Sequence, residues 1–286
     1  MSNTMSDNTF YFSSEATSLI KNYVGSTFII KYGGSAMKNE TFQYNLIQDI
    51  SLLYSLGVNI VLVHGGGHII DTWLEKLNID ICFQDGLRMT DSASIEVIEM
   101  VLSGKINKKL VSLFSKNDIS ATGISGKDGN LVIASSISQT TTNLTGQIDN
   151  VNPQIIHTLL KDGFLPIISS LGLGENGETY NINADTFASS LAVAINADKY
   201  ILVTDTPGIL MDITNPNTLI KKINIDQIDR LKIDGNISGG MIPKLDSCVN
   251  AVKNNVKSAH IIDGTLKHSL LYELFSYKRV GSMVVL

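Results

Sequence analysis

Cysteine, arginine and surplus positive charge are all scarce in this chain, and each shortage narrows what it can be. The two cysteines, Cys82 and Cys248, are too few and too far apart for a disulfide framework or a zinc site. A reduced intracellular setting is therefore expected, with no metal held by the chain itself. The formal net charge of −5 disfavours a nucleic-acid partner, which requires a basic face. No apolar run reaches the roughly 18 residues of a membrane span. Residues 1–27 contain one Lys and no Arg, which resembles neither a signal nor a transit peptide. Low-complexity linkers and internal repeats are also missing.

What remains is the balance of a packed globule, with 43% hydrophobic and 17% charged residues over 286 positions. Basic residues divide as 19 Lys to 3 Arg beside 36 Ile and 24 Asn. An AT-rich genome encodes such a bias, so a cytoplasmic or a plastid (chloroplast) stromal location is expected.

From Phe28 onward, short apolar runs alternate with longer amphipathic stretches. The runs are Phe28–Lys31, Asn59–Val63, Pro166–Ser169, Tyr200–Val203 and His260–Ile262. They are rich in β-branched residues and bounded by Gly, Asn or Asp, as buried parallel strands are. The spacing predicts helices over 40–56, 67–77, 92–116, 152–162, 185–197 and 244–256. Residues 118–148 read as a hairpin excursion. The 10–24 stretch carries Phe10, Tyr11 and Phe12, then Leu19, Ile20, Tyr23 and Val24 at helical spacing, with Ser13 and Ser14 ahead of Glu15 resembling a helix start. Its apolar face could fold back on the chain or dock on a neighbouring subunit. Strand–helix alternation of this kind predicts an α/β fold with a central, mainly parallel sheet covered on both faces.

Ligands of such sheets gather where strands end and helices begin. Lys31-Tyr32-Gly33-Gly34 sets a cation beside a bare turn, although a solvent-facing lysine on a structural turn has the same pattern. His64-Gly65-Gly66-Gly67 costs backbone entropy that suits close approach of a ligand. Gly86-Leu87-Arg88 offers a guanidinium that can grip a carboxylate bidentately, with a surface ion pair as the rival reading. Asn181-Ile182-Asn183-Ala184-Asp185 places amides and a carboxylate before a helix, where Asp185 could simply cap. Thr204-Asp205-Thr206-Pro207-Gly208 is a tight turn suited to a nucleotide. Gly239-Gly240-Met241-Ile242-Pro243-Lys244 puts a lysine in a helix's first turn, where the dipole favours anions. Gly172-Leu173-Gly174-Glu175-Asn176-Gly177 matches a dinucleotide fingerprint but opens no helix, so it is read as a loop. No P-loop motif occurs.

This ordered set of turns, spread from Phe28 to the C-terminus, closely resembles the amino acid kinase family, and within it the branch acting on N-acetyl-L-glutamate in arginine biosynthesis. The resemblance implies a three-layer αβα sandwich and ATP-dependent phosphorylation of a side-chain carboxylate. It implies catalytic roles for Lys31, Lys244 and Asp185, and substrate contacts from Gly66, Gly67, Arg88 and Asn181. Nucleotide contacts would come from Gly33, Gly34, Thr204, Asp205 and Gly208, with ATP carrying its own Mg²⁺. The implied organisation is an N-terminal helical extension (1–27), an acyl-substrate and dimerisation lobe (28–180) and a nucleotide lobe (181–286). Arginine feedback at His268, Glu273 and Gly281 is a further implication, together with a homohexamer built as a trimer of dimers. A PII-type nitrogen signal protein would be a partner in a plastid or cyanobacterial setting. The alternatives are another family member acting on a different small acid, or a non-catalytic arginine sensor. The chemistry is consistent with the family: a carboxylate with a pKa near ~4.3 is already ionised at neutral pH and attacks without a general base.

Overall fold

Short β-branched strands alternate with helices from residue 27 onward, in a computed structural model that describes residues 14–37, 39–84, 86–138, 143–235, 237, 239–276 and 278–286. Residues 1–13, including the expected helix start at Ser13 and the aromatic run Phe10–Phe12, lie outside the described residues, as do Asp85, Asn236 and Tyr277. In chain order the first part comprises α1 (Ser14–Tyr23), β1 (Thr27–Tyr32), α2 (Glu40–Ser55), β2 (Asn59–His64), α3 (Gly67–Lys76), β3 (Cys82–Gln84), β4 (Leu87–Met89) and α4 (Ser92–Glu99). A π-helix (Met100–Ile106) joins α4 to α5 (Asn107–Ser115), followed by β5 (Ala121–Ser125), β6 (Val132–Ser136), β7 (Thr145–Val151), α6 (Gln154–Lys161), β8 (Leu165–Ser169), β9 (Leu171–Leu173) and β10 (Thr179–Ile182). The remainder is α7 (Ala184–Ala194), β11 (Lys199–Thr204), β12 (Lys222–Asn224), α8 (Ile225–Ile233), α9 (Met241–Lys253), β13 (Ser258–Asp263), α10 (Ser269–Phe275) and β14 (Ser282–Val285).

Eight strands form one sheet in the order β12-β14-β13-β11-β1-β2-β8-β5. All neighbours from β13 to β5 are parallel, while β14 runs antiparallel to β13. The central strand β1 lies between β2 and β11, so the chain order reverses there, and such a switch point opens a crevice at the carboxyl ends of the strands. Side chains alternate across the sheet with period two. Phe28, Ile30 and Tyr32 join the core under α2, α5 and α10, whereas Ile29 joins the opposite core under α7 and α9. The layers are therefore helices, sheet, helices, as expected.

Four departures from the sequence reading have physical causes. The predicted helix over 92–116 is interrupted by the π-helix, which apolar spacing cannot distinguish from α. Ala121–Ser125, inside the expected hairpin excursion, is instead an edge strand of the main sheet; its small and polar residues hide it. β6, β7, β9 and β10 close into a small four-stranded barrel. Its tightness depends on missing side chains: a Cβ on Gly172 would lie 2.6 Å from Ala134 Cβ, and one on Gly146 2.6 Å from Tyr180 Cβ. Gly172, the first glycine of the false dinucleotide fingerprint, thus serves packing. The helices α8 and α10 went unread, although Asn224 and Gln227 form a reciprocal capping box at the start of α8.

Replacing Gly172 with alanine overpacks the barrel and is expected to cost about 1–3 kcal/mol. Asn39→Ala removes the cap that accepts from Thr41 and Phe42 N–H at the start of α2, at about 1 kcal/mol. Urea denaturation of the two variants against the parent checks both the values and their order.

Candidate active site

The parity of β1 decides where its last lysine points. Lys31 shares a face with Ile29, so it faces the α7 and α9 layer. Asp185 lies in the first turn of α7, and Lys244 in the first turn of α9. The three side chains meet. Lys31 Nζ is 2.7 Å from Asp185 Oδ1, and Lys244 Nζ donates to Oδ2 at 3.0 Å. Only the second contact has hydrogen-bond alignment; the first is a close charge contact. Asp185 is 4% exposed. Burial alone would raise its pKa, but Lys31 and Lys244 outweigh that and hold it at about 2. The cap of α7 is Asn183, whose side chain accepts from the Asp185 and Thr186 N–H groups. Asp185 is thereby spared the capping task and left for the lysines. Gly33 is needed where it stands, because a Cβ there would come within 2.7 Å of Lys31 Nζ.

These residues line a cleft of about 240 Å³ together with Gly33, Gly34, Gly65, Gly66, Gly67, Arg88 and Asn181. Arg88 pairs with Asp71 of α3 at 2.5 Å and stacks 4.7 Å above the Phe83 ring. Among the described residues its Nη1 is buried without a partner, so one edge of the guanidinium faces the cleft open to an anion. The Arg88 carbonyl accepts from Thr90 and Thr145 hydroxyls at 3.2 and 2.8 Å. Asn181 Nδ2 donates to Thr90 Oγ1 at 3.1 Å, tying the two expected substrate contacts into one network. The alternating pattern suggested none of these supports, since Asp71, Phe83, Thr90 and Thr145 are ordinary residues until the hairpin β3–β4 folds over α3.

A second cleft of about 290 Å³ shares Gly34, Gly66 and Gly67 with the first and adds His68 and Asp205. The bare glycine turns therefore lie between two adjoining spaces, as a transfer between two bound groups requires. Gly34 has φ +68, which favours glycine. Thr204 is buried and donates to Asp205 Oδ1 at 3.2 Å. Gly208 lines neither of these two clefts: it packs against β14, where a Cβ would lie 2.5 Å from Ser282 Oγ. Three cations and glycine N–H groups make a donor set for polyanions, and nucleotide phosphates fit it. Among the described residues no group of three or more His, Cys, Asp or Glu side chains is placed to hold a metal ion; an Mg²⁺ fits here as a companion of the phosphates.

His268, Glu273 and Gly281 lie elsewhere, around α10 and the C-terminal strand. Glu273 accepts from Gly281 N at 2.9 Å and contacts His260 Nδ1 at 2.8 Å and Arg279 Nη1 at 3.4 Å. Burial would raise its pKa, yet His260 and Arg279 bring it below the usual carboxylate value. His268 Nδ1 is 2.7 Å from Asp49 Oδ1 on α2. Tyr23 at the end of α1 approaches the Leu274 carbonyl at 3.4 Å, so the N-terminal helix packs on this group of residues.

Because Asp185 is more acidic folded than its ordinary value of 3.8, its contribution is complete above about pH 4 and fades as pH falls towards 2. Asp185→Asn is expected to lose about 2 kcal/mol at pH 7, with the gap to the parent narrowing below pH 4. Denaturant melts from pH 7 to pH 3 check the sign.

Comparison with known proteins agrees with this fold. The model of the amino acid kinase family matches residues 26–263. An acetylglutamate kinase from the red alga Gracilaria tenuistipitata var. liui is 47% identical over 274 residues, covering 96% of each chain. One from the cyanobacterium Thermosynechococcus vestitus is 46% identical, covering 95% of this chain and 92% of its own. Among solved structures, the N-acetylglutamate synthase of Neisseria gonorrhoeae superposes with a TM-score of 0.83 at 24% identity. That match covers 95% of this chain and 62% of the synthase, and it speaks for the fold alone. The carbamate kinase of Giardia lamblia superposes at 0.67 with 16% identity, covering 91% and 98%. With its strand order, its lysine-bracketed aspartate and these relatives, the chain belongs to the amino acid kinase family, in the acetylglutamate kinase branch.

Proposed function

We propose that the chain phosphorylates the side-chain carboxylate of N-acetyl-L-glutamate with ATP. The observation that carries this reading is the convergence of Lys31 and Lys244 on one buried carboxylate beside glycine N–H groups and the half-free Arg88 guanidinium. In the reaction, Arg88 grips the α-carboxylate of the acid and Asn181 meets its acetamido group. Gly66 and Gly67 present N–H groups to the reacting oxygens, and Gly33 and Gly34 follow the nucleotide phosphates beside Asp205, with Thr204 and Gly208 shaping the turn that carries it. Lys31 and Lys244 stabilise charge spreading over the equatorial oxygens of the transferring group, where positioning and electrostatics supply most of the rate. Asp185 sets the separation of the two lysines. Mg²⁺ on the phosphates supplies further charge neutralisation. No general base is required, because the nucleophile is already an anion.

The lobe 28–180 carries most of the acid contacts and the lobe 181–286 most of the nucleotide contacts, with Gly33, Gly34 and Asn181 crossing that division. Arginine feedback would act at His268, Glu273 and Gly281. The packing of α1 on α10 favours this, since it links an N-terminal helix to that group of residues. A homohexamer and a PII-type partner belong to the same proposal, as does a plastid or cytoplasmic location, with which the algal and cyanobacterial relatives are compatible.

A coupled assay of ADP release with a panel of acids is the first test. Turnover is expected with acetylglutamate and not with glutamate, aspartate, carbamate or UMP; no acetylglutamate-dependent turnover would sink the proposal. Lys31→Ala and Lys244→Ala should each lower kcat by about 10²-fold or more. Arg88→Lys should instead raise the KM for the acid about tenfold, through loss of the bidentate grip. Sedimentation with and without arginine addresses regulation, where a dimer indifferent to arginine contradicts the feedback reading.

A further inference from the structure

His64 is a fully buried polar side chain directly beneath the triple-glycine turn, and the proposed chemistry gives it no task. Both ring nitrogens are engaged. Nδ1 lies 3.1 Å from the Gly65 carbonyl oxygen, and Nε2 lies 3.2 Å from Asn107 Nδ2. The same Asn107 Nδ2 is 2.9 Å from the Ile167 carbonyl and 3.2 Å from that of Ile124. A carbonyl oxygen can only accept, so the Gly65 carbonyl places the proton on Nδ1 and leaves Nε2 as an acceptor, which shares the two Asn107 amide hydrogens with the Ile124 and Ile167 carbonyls. Burial, ahead of the other influences, lowers the His64 pKa to about 4, in keeping with a neutral ring. A neutral imidazole with both nitrogens committed cannot serve as a base, but it can hold a peptide group.

The peptide it holds is the one that matters. With no cis bonds among the described residues, the Gly65 carbonyl and the Gly66 N–H point in opposite directions from one peptide plane. A carbonyl drawn down to the buried ring turns the Gly66 N–H the other way, towards the cleft. Neighbouring groups hold the rest of the turn: Gly65 N–H donates to Tyr32 O at 3.2 Å, and Ile70 N–H to Gly66 O at 2.9 Å. Ile106 and Leu102 of the π-helix occupy the space a Gly66 Cβ would need, at 2.3 and 3.0 Å. Gly123 makes room for Asn107, whose Oδ1 would lie 1.9 Å from a Cβ there.

We infer that His64, held by Asn107, is a positioning residue that aims the Gly66 N–H at the reacting oxygens. The inference rests on the proposed kinase reaction. Hydrogen bonds to those oxygens strengthen as charge moves onto them, so misaiming the donor slows the chemical step more than it weakens binding.

The test compares His64→Leu, which removes the donor, with His64→Asn, whose amide nitrogen can occupy the Nδ1 position. His64→Leu is expected to lower kcat 10- to 100-fold with the KM values for ATP and acetylglutamate within about threefold of the parent. His64→Asn should recover at least tenfold of that loss. Asn107→Leu, which frees the ring, should fall between them. Folded His64→Leu protein with parental kcat overturns the inference, as does an equal loss in the Leu and Asn variants. If His64→Leu does not fold, the pair His64→Asn and His64→Gln decides: Gln reaches the Nε2 position only, so equal kcat in the two overturns it. Parent protein without acetylglutamate-dependent turnover would instead defeat the underlying reaction, a separate outcome.

Discussion

One buried carboxylate between two ammonium groups organises the catalytic half of this molecule. Asp185 is nearly without solvent, and an isolated ionised carboxyl there would be unstable. Lys31 and Lys244 make it tolerable, and it in turn keeps two like charges side by side. That triad requires β1, α7 and α9 to converge at one point, which the central position of β1 provides. The glycine at 33 follows from the path of the lysine. Asn183 caps α7 by accepting from the Asp185 and Thr186 N–H groups, so the Asp185 carboxylate is left to the two lysines.

The electrostatic design separates two kinds of site in one crevice. On one side lie Arg88, Phe83 and Asn181, which in the proposed reaction grip the small acid, braced by Thr90 and Thr145. On the other, Gly34 and Asp205 border space suited to a nucleotide. Gly66 and Gly67 lie between. In the proposed transfer, a phosphoryl group crossing that boundary would meet backbone donors and ammonium groups, and no general base is needed. His64, buried beneath that boundary, is neutral and committed to the backbone, which is consistent with chemistry that starts from an ionised nucleophile.

Much of this was legible in the sequence, for identifiable reasons. Runs such as Asn59–Val63 and Tyr200–Val203 are β-branched and flanked by breakers, so their strands were readable to within a residue or so. The glycine turns and the spaced lysines announced the cleft. Geometry across the chain was not legible. Nothing local to Arg88 predicts Asp71 or Phe83, because those contacts arise only when a hairpin folds over α3. The π-helix escaped because it keeps an apolar face close to that of an α-helix, and the small barrel escaped because its strands are short and rich in polar residues. The triple glycine suggested ligand approach, yet Gly66 is equally demanded by Ile106 packed against it. One residue answers both constraints, and only the fold shows the second.

The central claim is that Lys31 and Lys244, set apart by Asp185, act together on the transferring phosphoryl group. A crystal structure with acetylglutamate and a nonhydrolysable ATP analogue tests it most directly. The account predicts both ammonium groups within hydrogen-bonding distance of γ-phosphate oxygens while Asp185 still bridges them. A γ-phosphate bound away from either lysine, with the acid held by residues other than Arg88 and Asn181, would contradict it.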